Sequence, residues 1–150
     1  MTKREMFLGL YQAKAITPDM LKAKITDPLA LIEFDYANDY FRGNPLIDAI
    51  GGQLGFTSEM LDKFFETKDY HYLTTCKLTI NPTPAEATVV INSEIINEVT
   101  VPYGSVVDYV VSCDGYESKA NVFEITKDEF LEVVLDENTT DTTTDIPNEV

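Results

Sequence analysis

Residues 76–135 read CKLTINPTPAEATVVINSEIINEVTVPYGSVVDYVVSCDGYESKANVFEITKDEFLEVVL. Apolar and polar residues alternate along short runs, and proline, glycine, asparagine or aspartate closes each run. A period of two is that of a strand with one buried face. Six strands are predicted, at 76–80, 87–92, 95–101, 106–113, 119–125 and 130–135. Short strands separated by turns at this spacing predict an antiparallel β-sandwich. Pro82 and Pro84 are expected to take the chain out of the first strand, because proline lacks an N–H and fixes φ. Gly104 and Gly115 are expected in turns.

Working back from that stretch, residues 1–72 carry helical punctuation. Met6 and Leu10 share a face of a helix predicted at 3–14. Thr17-Pro18-Asp19 is a start signal: a hydroxyl cap, proline at the first helical position, and an acid near the positive end of the dipole. Asp27-Pro28 repeats it ahead of the apolar run Leu29, Leu31, Ile32, Phe34 and Tyr36. Asn44-Pro45 opens Leu46, Ile47 and Ile50, which Gly51-Gly52 is expected to end. Thr57 or Ser58 caps a last helix in which Phe64 and Phe65 are expected inward. Lys68–Thr75 is the expected linker. From Asp136 the chain reads DENTTDTTTDIPNEV, acidic and threonine-rich, and too poor in apolar residues to offset its own ordering entropy. The fold class is therefore α+β. The predicted divisions are a helical anchoring unit (1–72), a β-sandwich (73–136) and an acidic flexible tail (137–150).

Composition narrows the function. The 150 residues hold 26 acids and 11 bases, a net charge of −15. Residues 1–72 carry 8 bases and 11 acids (−3), residues 73–136 carry 3 and 11 (−8), and the rest carry 4 acids and no base (−4). Such a surface repels nucleic-acid phosphates and anionic membranes, so neither is an expected partner. No run approaches the roughly 20 apolar residues of a spanning helix. The N-terminal MTKREMFLGLYQAKA has no continuous apolar stretch and is a poor secretion signal, so folding in a cytoplasm is expected.

The residues offer little for catalysis. No serine has a histidine in its sequence context, and His71 is the only histidine. Gly51-Gly52 lacks the spacing of a phosphate loop and its lysine. Asp35 and Asp39 stand four residues apart, a pattern that belongs more often to a solvated helix face than to an acid–base pair. Asp114, Glu117 and the tail acids fit no EF-hand pattern. No enzyme activity, cofactor or metal is expected. Cys76 and Cys113 are both predicted inward, as buried thiols or as a pair across the sandwich. Asn138-Thr139-Thr140 matches a glycosylation acceptor, which without secretion carries no weight.

Aromatic residues crowd the helical half. Phe7, Tyr11, Tyr36, Tyr40, Phe41 and Phe56 are the candidate partner-binding residues. Two readings stand side by side: a small core built from large side chains, or an exposed aromatic face for docking.

The β segment resembles the PEGA-type, immunoglobulin-like modules of bacterial surface proteins and bacteriophage structural proteins. The matching residues are Leu78-Thr79-Ile80, the NPTPAEATVVIN run, Val101-Pro102-Tyr103-Gly104 and Asp114-Gly115-Tyr116. Its second turn, Asn92-Ser93-Glu94, departs from the pattern, where glycine is common. The resemblance implies an Ig-like sandwich. With a short helical unit before it and an acidic tail after it, the chain looks like a virion component. The role this implies is capsid decoration, head fibre, neck or tail, with other virion proteins as partners and a homo-oligomer as one arrangement. A bacterial surface or adhesion module, or an adaptor, is the alternative.

Overall fold

A computed structural model describes residues 1–139. They divide into two compact units. The first holds Met1–Lys77 with Thr100–Ser105 and Glu124–Asp128; the second holds Leu78–Val99, Val106–Phe123 and the chain from Glu129.

Five helices build the first unit: α1 (Lys3–Lys14), α2 (Pro18–Lys22), α3 (Pro28–Tyr36), α4 (Pro45–Gln53) and α5 (Ser58–Thr67). Each starts on a side-chain cap. Thr2 and Glu5 form a reciprocal capping box on α1. Thr17 accepts from the Met20 N–H, Asp27 from Leu29 and Ala30, Asn44 from Leu46, and Thr57 from Met60. Proline takes the first position of α2, α3 and α4, where its missing N–H costs nothing. One apolar core unites them, with Leu10, Leu21, Phe34, Tyr40, Phe64 and Leu73 among its members.

Three expectations change here. Gly51 and Gly52 lie inside α4, which runs on to Gln53. Gly51 is there for contact, since a Cβ on it would stand 2.6 Å from Leu61 Cδ1. Phe64 is buried as expected, but Phe65 is only half-buried. The expected linker is folded: Lys68 closes α5 in the left-handed conformation, a 3-10 turn spans Tyr70–Leu73, and Leu73 is fully buried.

The β region has seven strands: β1 (Thr75–Thr83), β2 (Thr88–Ile91), β3 (Glu94–Ile95), β4 (Glu98–Pro102), β5 (Ser105–Ser112), β6 (Lys119–Ile125) and β7 (Glu129–Val134). They form a three-stranded sheet, β4-β1-β7, and a four-stranded sheet, β3-β2-β5-β6. Alternate positions are buried, including Leu78 and Ile80 on β1, Val89 and Ile91 on β2, and Val107 and Val111 on β5. That pattern suits a sandwich.

Its wiring departs from the expectation at several points. The predicted strand 95–101 is two strands in different sheets. The break falls at Ile96 and Asn97, where the Asn97 carbonyl accepts from the Ile80 N–H at 2.8 Å. β2 pairs antiparallel with β3 and β5, but β1 pairs parallel with β7, from Leu78 opposite Glu129 to Thr83 opposite Val134. Parallel pairing needs a long connection, and β1 and β7 have the whole region between them. Pro82 lies within β1, opposite Val133, rather than ending it. The glycine-free turn at Asn92-Ser93 is a two-residue hairpin loop with both φ positive, 49° and 69°.

Cys76 is buried, Cys113 is half-buried, and both are free thiols. Burial, with Asp128 adding to it, pushes the Cys76 thiol up. The start of the acidic segment is tied down: Glu117 N–H donates to the Asp136 carbonyl and Asn138 N–H to that of Gly115, each at 2.8 Å. Residues 140–150, with most of the predicted tail and the last position of the Asn138-Thr139-Thr140 pattern, lie outside the described residues.

Candidate functional site

Helix α3 turns an apolar face to water. Its sequence is PLALIEFDY, and Phe34 is its one buried residue. Leu29, Ile32 and Tyr36, spaced i, i+3 and i+7, share one face and are 75%, 56% and 81% exposed. Asp35 forms an ion pair with Lys22 at 2.6 Å, and Glu33 accepts from Asn44 Nδ2 at 2.6 Å. These contacts hold α3 to its neighbours and leave the Leu29–Tyr36 face open.

The six aromatic candidates separate. Tyr40 is 1% exposed, and its hydroxyl donates to the Phe34 carbonyl at 2.9 Å. Burial, together with the nearby charges of Glu33 and Asp35, pushes that phenol up to about 12. Phe56 is buried under Lys14, whose ammonium sits 4.6 Å from the ring centroid. Tyr40 and Phe56 are thus core residues and present no surface. Phe7 is half-buried, with its ring 5.6 Å from that of Phe34. Tyr11, Tyr36 and Phe41 are exposed. Tyr11 joins Lys3, Arg4, Phe7 and Leu8 along an open groove of about 630 Å³.

Leu29 and Ile32 stand outside the six candidates, which are all aromatic. The signal was present, since α3 reads as an almost unbroken apolar run.

Groups with chemical potential are engaged in structure. His71 Nδ1 lies 2.6 Å from Asp69 Oδ1, and Asp69 also caps the 3-10 turn through the His71 N–H. Those two bonds hold the Asp69 carboxyl below its ordinary value. The His71 ring stacks on Tyr70 at 4.1 Å. Asp35 is bound to Lys22 rather than paired with Asp39. Among the described residues no three His, Cys, Asp or Glu side chains gather to hold a metal. The core of the helical unit leaves a void of about 30 Å³, room for about one water and no ligand. Among the described residues no helix is long and apolar enough to cross a membrane.

With this geometry, likeness to known proteins can be weighed. No curated protein and no solved structure matches the chain. Residues 75–134, from the start of β1 to the end of β7, match the family model described as head fiber dimeric protein-like domain. The match takes in every strand and stops short of the five helices. The β region is thus similar to a phage structural module, and the likeness suggests a structural protein of a phage virion.

Proposed function

We propose that this chain is a non-enzymatic component of a bacteriophage head fibre, docked to the particle by its helical unit and paired with a second copy through its β region. The match of residues 75–134 to a head fiber dimeric protein-like domain carries this reading. The open face of α3 supports the docking role. Leu29, Ile32 and Tyr36 offer a compact apolar surface of the kind that anchors an interface, with Phe41 a further exposed aromatic in the same unit. The β region carries most of the negative charge, which favours solubility in an exposed position.

The test is incorporation. Purified particles are probed with antibody against the chain and examined by electron microscopy. The wild-type chain is expected on the head, and an Ile32→Asp/Tyr36→Asp double variant, still folded, is expected to be absent. A chain missing from purified particles overturns the virion role. A double variant that incorporates at the wild-type level overturns α3 as the anchor.

A further inference from the structure

β2 and β5, the central strands of the four-stranded sheet, carry apolar residues on both faces. A half-exposed antiparallel sheet alternates apolar and polar, whereas one covered on both sides reads as continuous apolar runs. β2 reads Thr88-Val89-Val90-Ile91, and β5 contains the pairs Val106-Val107 and Val110-Val111. One residue of each valine pair is buried and its neighbour is not: Val107 and Val111 are buried, Val106 and Val110 exposed. Strand register gathers the outward set into a row. Val90 lies opposite Ile95 of β3 on one side and opposite Val110 of β5 on the other. Ile95 is 78% exposed. On β6, Val122 is 64% exposed and stands on the face opposite the buried Ile125.

We infer that this outer face, centred on Ile95, Val90, Val110 and Val122, is the surface through which two copies of the chain pair about a twofold axis. The inference rests on the dimeric reading above and adds which surface does it. All four residues lie within the stretch that matches the head fiber dimeric protein-like domain.

Charge limits the choice of surface. Residues 73–136 carry −8, so two copies meet most easily where no acid stands. The Ile95–Val90–Val110 row is uncharged; Glu124 stands two residues from Val122 on the same face of β6. Asp108, on the same face, lies at the hairpin end of the sheet beside Asn92, with which it exchanges two hydrogen bonds of 3.0 and 3.1 Å. It stands between the exposed Val106 and Val110 of β5. β7 also exposes Phe130 and Val134, but their neighbours on β1 are Thr79 and Thr83, so no apolar row crosses that sheet.

Area bounds the strength of the contact. Strands of two, four, eight and seven residues, at about 3.3 Å per residue and about 4.8 Å apart, present roughly 330 Å² of sheet per copy. Two copies bury about 700 Å², the size of a weak pairing. A flat row of β-branched residues is also self-complementary under a twofold, as an isologous contact requires.

The experiment is sedimentation equilibrium of the full chain, with circular dichroism to establish that each variant is folded. Wild type is expected to be a dimer. Ile95→Lys and Val122→Lys are each expected to weaken it at least about 30-fold. Val110→Thr, nearly isosteric and well suited to a strand, is expected to weaken it several-fold. Phe130→Lys, on the other sheet, is expected to leave it unchanged. A wild-type dimer that Ile95→Lys and Val110→Thr leave at full strength overturns this surface and leaves dimerisation standing. A wild type that is monomeric at every accessible concentration overturns the dimeric reading, and this surface with it.

Discussion

Gly9 and Gly51 lie inside helices at ordinary angles, with neighbours pressed against them. A Cβ on Gly9 would stand 2.4 Å from Phe64 Cζ, and one on Gly51 2.6 Å from Leu61 Cδ1. Gly115, in the turn between β5 and β6, is the reverse case. Nothing lies within 4 Å of where its Cβ would be, yet its φ is +84°. Gly9 and Gly51 bring elements of the helical unit together, while Gly115 turns the chain, as Gly55 does between α4 and α5 with φ +79° and nothing within 4 Å. Short helices with a small shared core depend on close approach between side chains. A sheet depends on backbone geometry that sets which residues face each other.

The sharpest way to break this contrast is to overfill the helical core. Gly9→Val drives two methyl groups towards Phe64, which is 1% exposed and packed edge-on against Phe65 with 5.8 Å between ring centroids. A loss of about 3 kcal/mol is expected in urea denaturation. If contact is the cause, shrinking the partner compensates: Gly9→Val combined with Phe64→Leu is expected to lose about 1–2 kcal/mol less than the sum of the two single losses. Strict additivity would mean that Gly9 matters for its own backbone, and the contrast with Gly115 would disappear.

Gly115→Val comes next, at about 2 kcal/mol, because the left-handed region costs an L-residue about 1–2 kcal/mol and a β-branched one more. Gly115→Asn is expected to recover about half of it, since asparagine tolerates that region. Asp108→Ala, on an exposed face, is expected to stay within about 0.5 kcal/mol. Equal melting temperatures for Gly115→Val and Asp108→Ala would contradict the strand register. A smaller test lies at the helix starts. Asp27 accepts from two N–H groups at the head of α3, and Asp27→Ala is expected to cost about 1 kcal/mol.

The same contrast explains what could be read from the chain. Helix starts are local chemistry, so Thr17, Asp27, Asn44 and Thr57 marked four of them, each within a residue or two of its position. The stop at Gly51-Gly52 failed because a contact glycine and a terminating glycine are the same letter, and only Leu61, ten residues on, tells them apart. Alternation revealed the strands, but it carries neither direction nor partner. The parallel pairing of β1 with β7 and the change of sheet at Ile96-Asn97 depend on residues distant in sequence. Among the site candidates, Tyr40 and Phe56 lie in the connections before α4 and α5 and went inward, because an aromatic residue beside a short helix serves core and surface equally well. The apolar faces of α3 and of the four-stranded sheet were both written in the sequence, as runs too apolar for one buried side. Such runs become informative once it is known which half of each is buried.

The smallest expected effect separates the two units by charge. Glu5 accepts from the Thr2 N–H at 2.8 Å and its hydroxyl at 3.0 Å, and from Lys68 Nζ at 2.8 Å. The Lys68 bond first, then those from Thr2, hold its carboxyl down to about 2 from an ordinary 4.5. A folded-state value below the unfolded one favours the folded state only while the carboxylate is charged. The stabilisation is therefore complete above about pH 4.5 and is lost as pH falls towards about 2. Glu5→Gln keeps the size and one acceptor oxygen. Its deficit against wild type, measured by denaturation at a series of pH values, is expected to be level above about pH 5 and to shrink to nothing near pH 2. Added salt should reduce it, because the site is open to solvent. The turn of β2 and β3 gives the opposing case. Asn92 accepts from the Asp108 N–H through a neutral amide, so the deficit of Asn92→Ala should stay level over the same range. If the Glu5→Gln deficit also stays level, the α1 cap acts through hydrogen-bond geometry alone, and charge does not distinguish how the two units hold their chain ends.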